Sequence, residues 1–147
     1  MLSRGTDDEK VILLAKLDEF NSLFSYKFPD YPEISIALMD ISTIISSPKN
    51  KYLFDEQGII VKFIEYDTNK IMSKLPEMKK IILPNDEYNI VRTKCKLFEI
   101  SLVKYVESNK LDLSMIKFIN VLNNLIFARS YENFCKNGNR NNKVINS

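Results

Sequence analysis

The chain has 147 residues, of which 45% are hydrophobic and 27% charged, with only three glycines and five prolines. This length suits one globular domain, because a chain of about 150 residues buries roughly 68–70% of its unfolded surface. The 21 basic and 19 acidic side chains leave a formal charge of +2, so composition gives no support for nucleic-acid binding. The sequence contains no histidine, which excludes Ser-His and Cys-His nucleophiles and histidine-ligated metals.

The cysteine content and the hydropathy pattern bear on the cellular compartment of the protein. Cys95 and Cys135 are too few for a disulfide framework or a four-cysteine zinc site, and they suggest a reducing, intracellular setting. A membrane-spanning helix requires about 18 consecutive apolar residues, and no apolar run in the sequence approaches this length. Residues 1–10 include Arg4, Asp7, Asp8 and Glu9, where a signal peptide needs an apolar stretch. We therefore expect a soluble intracellular protein that does not bind membranes.

Apolar residues recur at i, i+4, i+7 and i+11 in the first two predicted helices, which is typical of amphipathic helices. Thr6 and Glu9 form a capping box at the start of the first helix, expected over about residues 6–27, and Pro29 ends it. Pro32 suits the first turn of the second helix. The two apolar stripes consist of Leu13, Leu17, Phe20 and Phe24, and of Ile34, Leu38, Ile41 and Ile45.

The middle of the chain carries weaker signals. Ser47, followed by proline, predicts a short third helix that ends at Gly58. Residues 59–64 are β-branched, but since no partner strand with a turn signal is present, we interpret them as a buried fourth helix. Between Asp67 and Pro84 the boundaries cannot be assigned, because Pro76 interrupts the apolar pattern.

Two further helices complete the predicted fold. The segment Asn85-Asp86-Glu87 provides capping and acidic groups that favour a helix start, and this helix runs to about Glu107. A closing helix is expected over about residues 112–130, with Asp112 or Ser114 as its cap. Their stripes consist of Val91, Cys95, Phe98, Leu102 and Val106, and of Met115, Ile119, Leu122 and Ile126.

These patterns predict an all-α, compact bundle of about six or seven helices, arranged as HEAT-like or orthogonal helical hairpins. A single helical domain is expected over residues 1–132. Residues 133–147 are rich in asparagine and lysine, and we expect a flexible basic tail there because burial cannot offset its conformational entropy.

No constellation of catalytic, metal-binding or cofactor-binding residues stands out. Asp40 flanks an apolar stripe and is explained by solvation, and Asp86 and its acidic neighbour are explained by the helix dipole. Gly58 stands alone among large residues, so no phosphate-binding loop is present. Lys96 and Glu99 belong to a face of mixed charge that solvation explains better than a nucleic-acid patch. We therefore expect a protein that is not an enzyme and holds no metal or cofactor.

The turn before the closing helix carries two leucines where polar residues are usual. Leu111 and Leu113 are therefore candidate docking residues, with Lys104 and Lys110 close enough to meet acidic groups of a partner. The alternative is a hydrophobic staple, in which Leu111 precedes the Asp112 cap and packs on the following helix. The residues alone favour neither interpretation.

Several segments resemble the TFIIS N-terminal-type helical domain, and within it the Iws/Spn family of RNA polymerase II elongation factors. The resemblance lies in Lys51–Ile59, in Leu83-Pro84 followed by Val91-Arg92 and Leu97, and in Lys117–Asn120 with Ile126-Phe127. The chain departs from that family at its final helix, where Leu122, Asn124 and Leu125 replace a Trp, an Arg and a Pro.

This resemblance implies a non-enzymatic, nuclear transcription elongation factor. Its partner would be a short acidic and apolar linear segment of a large elongation factor and histone chaperone, bound through Leu111, Leu113, Lys104 and Lys110. The chain would be a monomer without direct sequence-specific binding of nucleic acid. A viral Bcl-2-like bundle that captures amphipathic helices of host proteins is the alternative, because length and helix count are compatible with it, although the chain has no Trp.

Overall fold

The computed structural model describes residues 6–47, 58–77 and 86–146, with side chains from residue 8 to residue 137 of these ranges. The described residues contain five α-helices and no strand, so the all-α prediction is confirmed. The helices are α1 (Thr6–Lys27), α2 (Pro32–Ser46), α3 (Gly58–Ser73), α4 (Glu87–Asn109) and α5 (Ser114–Asn146).

The helix count of six or seven is too high for this part of the chain. The predicted third helix lies outside the described residues, and Gly58, expected as its stop, is the first residue of α3. Residues 59–64 are helical as predicted, but within α3 only Val61 and Ile64 are buried. Among the described helices, α1 packs against α2 and α4, and α5 packs against α3 and α4. The arrangement as HEAT-like or orthogonal hairpins stays a prediction.

The closing helix is longer than its pattern indicated. α5 begins at Ser114, where Asp112 Oδ1 accepts a hydrogen bond from the Ser114 backbone N–H at 2.9 Å. It continues through the asparagine-rich segment to Asn146, beyond the predicted end near residue 130. The domain limit at residue 132 and the flexibility of residues 133–147 stay predictions.

The predicted apolar stripes form the core. Every stripe residue of α1, α2, α4 and α5 is buried, with a relative exposure of 2% or less. Phe20 of α1 stacks on Phe98 of α4 with 6.4 Å between the ring centroids, and Phe24 stacks on Phe28 at 4.8 Å. The Phe20–Phe98 pair thus joins α1 to α4 within the core.

α1 and α4 run antiparallel, and polar contacts along their seam set the register. Low-numbered residues of one helix pair with high-numbered residues of the other. The contacts, each 2.8 Å long, join Lys27 to Glu87, Glu19 to Lys94 and Lys16 to Ser101. Because these three pairs lie on one side of α4, the opposite side of that helix is left for α5.

Asp86 joins α4 to α5 at one end of the bundle. Its Oδ1 accepts the N-cap hydrogen bond from the Asn89 backbone N–H at 2.9 Å, so the cap lies within the predicted segment 85–87, and its Oδ2 accepts from Asn133 Nδ2 at 3.1 Å. At the other end, α4 ends at Lys110, which has a left-handed backbone with φ 52°. The two helices are therefore antiparallel over the whole length of α4.

Arg129 of α5 holds the turn between α1 and α2. Its Nη1 lies 3.3 Å from the Tyr31 hydroxyl and 3.4 Å from Asp30 Oδ2, and its guanidinium lies over the Phe28 ring. The Tyr31 hydroxyl donates to Asp67, which brings α3 into the same network. These contacts join α3, α5 and the α1–α2 turn at one place.

Candidate functional site

The candidate site lies on the side of α4 that faces α5. α4 packs chiefly against α1 and α5, and its residues Lys94 and Ser101 contact α1. Arg92, Lys96 and Glu99 follow one another at spacings of three and four residues, so they share the other flank of the helix. We call this flank, which lies away from the contacts with α1, the α4 polar flank.

Glu99 is the unusual residue of the α4 polar flank, because a glutamate is rarely buried. The residue is 8% exposed, and its Oε1 lies 3.2 Å from Lys96 Nζ. Its Oε2 is buried and has no hydrogen-bond partner among the described residues. An unpartnered buried polar atom costs about 1–3 kcal/mol, and more when it carries charge, so a donor from outside these residues would be stabilising here.

Asn123 of α5 presents a second unpartnered acceptor. Its Oδ1 is buried and has no partner among the described residues, and the same is true of Ser130 Oγ on this helix. Because both helices rise about 1.5 Å per residue and are antiparallel, counting from the Asp86–Asn133 contact and from the Lys110 turn puts Glu99 level with about residues 120–125. Glu99 and Asn123 therefore lie at the same height in the bundle.

Lys96 and Glu99 form an ion pair in which the two side chains differ in solvent exposure. The Lys96 side chain is 54% exposed while that of Glu99 is 10% exposed, so the lysine has room to contact a ligand. Arg92 Nε donates to Asn89 Oδ1 at 2.9 Å, and this contact holds the guanidinium on the same flank. Burial raises the pKa of the Cys95 thiol, and the neighbouring Glu99 charge adds to the rise. Cys95 is therefore a neutral core residue and not a nucleophile.

This arrangement offers two kinds of recognition in one place. Lys96 and Arg92 supply positive charge suited to phosphate oxygens. Glu99 Oε2 and Asn123 Oδ1 are acceptors suited to hydroxyl or amino groups. Such a combination fits a ligand with both an anionic part and hydrogen-bond donors. Within the described ranges, no group of three His, Cys, Asp or Glu side chains could hold a metal ion.

The four docking residues predicted from the sequence lie apart from this flank. Leu113 is 67% exposed, whereas Leu111 is partly buried against the core, as the staple alternative requires. Lys104 lines an open cleft of about 380 Å³ with Ser101 and other α4 residues. Lys110 is exposed at the end of α4. Their role in binding another protein stays a prediction.

Glu99 and Lys96 were not predicted as site residues, because the sequence pattern around them is that of a solvated face of mixed charge. A signal was present, because Glu99 follows Cys95 by four residues and precedes Leu102 by three. A carboxylate at that spacing lies beside the core stripe and not opposite to it. Asn123 carried no signal, because asparagines occur throughout this part of the chain.

Two comparisons with known proteins identify the family. Residues 3–131 match the sequence pattern of the cobalamin adenosyltransferases. The bovine protein corrinoid adenosyltransferase MMAB is 22% identical over 159 aligned residues, which cover 92% of this chain and 66% of the bovine protein. The chain thus spans slightly less than two thirds of that relative's length.

This match overturns the resemblance to TFIIS-type elongation factors and the Bcl-2-like alternative. The quoted segments combined aliphatic residues at helical spacing, which any helical bundle shows, and Lys51–Gln57 and Leu83-Pro84 lie outside the described residues.

The expectations of a non-enzymatic protein and of an elongation-factor partner are therefore wrong. The expectation of a monomer also conflicts with this family, which is typically trimeric. The nuclear location had no support besides that resemblance. Among the described helices, none combines the length and apolar character needed to cross a membrane. The chain belongs to the cobalamin adenosyltransferase family.

Proposed function

We propose that this chain is a corrinoid adenosyltransferase that moves the 5′-deoxyadenosyl group of ATP to the reduced cobalt of a cobalamin. The observation that carries this proposal is the family match over residues 3–131, which includes α1 to α4 and most of the buried part of α5. The corrinoid and the nucleotide are both substrates of this reaction.

The reaction requires the protein to hold two substrates close together. The cobalt electron pair attacks C5′ of the nucleotide, the cobalt–carbon bond forms as the C5′–O bond breaks, and the triphosphate leaves with the electrons of that bond. Positive side chains near the triphosphate would stabilise the charge that develops on the leaving group. Lys96 and Arg92, on the α4 polar flank, are the residues we propose for this role.

Lys96 is the better candidate of the two cations. Its side chain is 54% exposed, while Arg92 is already engaged by Asn89. Lys96 is also held near its site by the contact with the largely immobile Glu99 carboxylate at 3.2 Å. A lysine in this position would act as a point charge and not as a proton donor, because the triphosphate leaves as an anion that needs no proton from the protein.

The test is an anaerobic assay with chemically reduced cobalamin and ATP. We expect the optical spectrum of the reduced corrinoid to be replaced by that of a light-sensitive alkylcobalamin, only when both ATP and the chain are present. Lys96→Ala is expected to lower kcat/KM at least tenfold. Lys104→Ala is the matched control, because Lys104 is also an exposed lysine of α4. It lines a cleft on the side of α4 away from the α4 polar flank. A wild-type chain that leaves the spectrum unchanged would refute the proposal.

We also propose that the chain assembles as a trimer, as its family typically does. The surface proposed for the contact between copies is the outer face of α1 and α4. Leu23, Tyr26 and Ile90 line a small cleft of about 130 Å³ there, and Leu97 and Ile100 are half-exposed further along α4. Exposed apolar side chains grouped in this way are typical of an interface.

Light scattering coupled to size exclusion tests this assembly. Leu97→Asp is expected to reduce the mass to that of a monomer while the helical circular dichroism is retained. Ile36→Asp, which introduces the same change at a comparably exposed site on α2, is expected to leave the trimer intact. A monomeric wild-type protein would contradict the proposal.

A further inference from the structure

α3 has fewer buried residues than any other described helix. Within it only Val61 and Ile64 are buried, and of the described helices only α5 packs extensively against it. An amphipathic helix that packs on one neighbour normally turns a polar side to solvent. The residues on the side of α3 away from α5 therefore show whether this helix follows that pattern.

The side of α3 away from α5 carries large apolar side chains. Ile59, Phe63 and Tyr66 follow one another at i, i+4 and i+7, so they form a stripe about 10 Å long on one side of the helix. Their exposed fractions are 80%, 45% and 66%. We call these three residues the α3 outer stripe. Single exposed apolar residues are ordinary on a protein surface, but a contiguous group is typical of a contact site.

Two lysines adjoin the α3 outer stripe. Lys62 is three residues from Ile59 and four from Tyr66, and Lys70 is four residues beyond Tyr66, so both lie next to the stripe. Both lysines are exposed, and neither forms an ion pair with another described residue.

The acidic residues of α3 do not neutralise these lysines at the stripe. Asp67 accepts a hydrogen bond from the Tyr31 hydroxyl and is thereby held at the α1–α2 turn. Glu65 is not three or four residues from any member of the α3 outer stripe, so it lies further round the helix. The surface formed by the stripe and its two lysines is therefore apolar and positively charged.

This charge decides which kind of surface can cover the α3 outer stripe. A two-fold contact with a second copy would bring the same two lysines to both sides, so like charges would lie opposite each other. Such charges repel, whereas carboxylates of a different partner would attract both lysines and steer its approach. The lysines therefore favour an acidic partner over self-association.

We propose that the α3 outer stripe, together with Lys62 and Lys70, binds an acidic amphipathic helix of another protein. A helix with apolar residues at i, i+3 or i+4 and i+7 packs its ridge against a stripe of this spacing. Carboxylates beside that ridge pair with the two lysines. The surface is separate from the proposed reaction, because the α4 polar flank belongs to a helix that packs chiefly against α1 and α5.

Fluorescence anisotropy with two designed peptides tests the proposal on the full chain. Both are alanine-rich helices of about 20 residues with leucines at i, i+3 and i+7. One carries glutamates beside the leucines, and the other carries lysines at the same positions. We expect the acidic peptide to bind the wild-type chain, more weakly as the salt concentration rises, and the basic peptide not to bind.

Substitutions of apolar residues test the stripe itself. Phe63→Asp is expected to abolish binding of the acidic peptide while the helical circular dichroism is retained, because Phe63 is already 45% exposed. Tyr66→Asp is expected to have the same effect and serves as the second variant in the event that Phe63→Asp does not fold. Ile36→Asp makes the same change at an exposed site on α2 and is expected to bind like the wild type.

Substitutions of lysines test the role of charge. Lys70→Glu is expected to weaken binding of the acidic peptide about fivefold and to reduce its salt dependence. Lys104→Glu makes the same change at an exposed site on α4 and is expected to alter neither. Equal effects of the two substitutions would overturn the assignment of charge to α3.

The remaining outcomes separate the proposed partner from other occupants. No binding of the acidic peptide, or equal binding of both peptides, overturns the proposal. A particle mass that grows with concentration in the wild type but not in Phe63→Asp overturns it in favour of a second copy. Sedimentation of the wild type with phosphatidylserine vesicles, without peptide binding, overturns it in favour of a membrane surface. Adenosyl transfer is measured separately, and its presence or absence leaves this proposal unaffected.

Discussion

Lys96 Nζ lies 3.2 Å from Glu99 Oε1 on the next turn of α4, and this contact uses only one of the two carboxylate oxygens. The pair is asymmetric, because the lysine is half-exposed and the glutamate is buried. The carboxylate thus depends on its neighbour for compensation more than the lysine does. This asymmetry is the structural basis for the site on the α4 polar flank and for the first prediction.

Lys96→Met is expected to destabilise the fold by about 1 kcal/mol. Removing one partner from a fully buried pair costs about 3–5 kcal/mol, but solvent around the exposed lysine screens part of this. Lys94→Met breaks the pair with Glu19, whose side chains are 40% and 56% exposed, and should change stability by less than about 0.5 kcal/mol. Urea unfolding measures both. Equal effects would show that Glu99 is not buried as described.

Tyr31 makes the stability of the fold decrease at high pH. Burial raises the pKa of Tyr31 to about 12, and donation of its hydroxyl to Asp67 adds to the rise. The pKa of Tyr31 in the folded state lies above the ordinary tyrosine value of 10.0, so the stabilising contribution is complete below pH 10.0 and is lost as the pH rises towards about 12.

Tyr31→Phe should therefore unfold with a weaker pH dependence between pH 10 and pH 12 than the wild type, whose stability falls over that range. Thermal unfolding in matched buffers measures the difference. Tyr26→Phe is the control, since Tyr26 is 76% exposed and should leave the wild-type pH profile unchanged. Identical profiles for Tyr31→Phe and the wild type would contradict the assignment.

Arg129 and Tyr31 should be energetically coupled. Arg129→Met removes contacts to Tyr31 and Asp30 and is expected to cost about 1–3 kcal/mol. The double variant Arg129→Met with Tyr31→Phe should lose less free energy of unfolding than the sum of the two single losses. The expected difference is about 0.5–3 kcal/mol, because both substitutions act on the same network. Free energies of unfolding for the four proteins provide this cycle, and additive losses would count against it.

Phe98 should be the most sensitive position on α4. It is fully buried and stacks on Phe20, so Phe98→Ala is expected to lower the free energy of unfolding by about 3–5 kcal/mol. Lys104→Ala, on the exposed surface of the same helix, should cost less than about 0.5 kcal/mol. Denaturant titration measures both values. A loss below about 1 kcal/mol at Phe98 would place the ring outside the core.

The sequence was informative wherever helical periodicity and end signals agreed. A cap within residues 85–87, Pro32 at the start of α2 and the end of α1 before Pro29 follow from local backbone chemistry, and each was predicted correctly. Gly58 was misassigned because a glycine favours a helix end only weakly, and here α3 starts with it. The end of α5 was missed because the segment that continues it has no apolar stripe.

The site was harder to predict than the fold because it depends on two helices that are adjacent in space. Glu99 becomes unusual only when its burial in the folded bundle is known, and Asn123 only when its position relative to Glu99 is known. The spacing of apolar residues fixes which side of each helix is buried but not which helices pair. That pairing is a tertiary property, and the resemblance chosen from aliphatic spacing could not supply it.

The most direct test of the proposed function is the stoichiometry of the reaction. Reduced cobalamin and ATP are incubated with the chain in the dark, and the corrinoid and the released phosphates are separated and identified by mass spectrometry. We predict adenosylcobalamin and triphosphate in equal amounts, formed only in the presence of the chain. Unaltered corrinoid, or hydrolysis of ATP without a cobalt–carbon bond, would contradict the account.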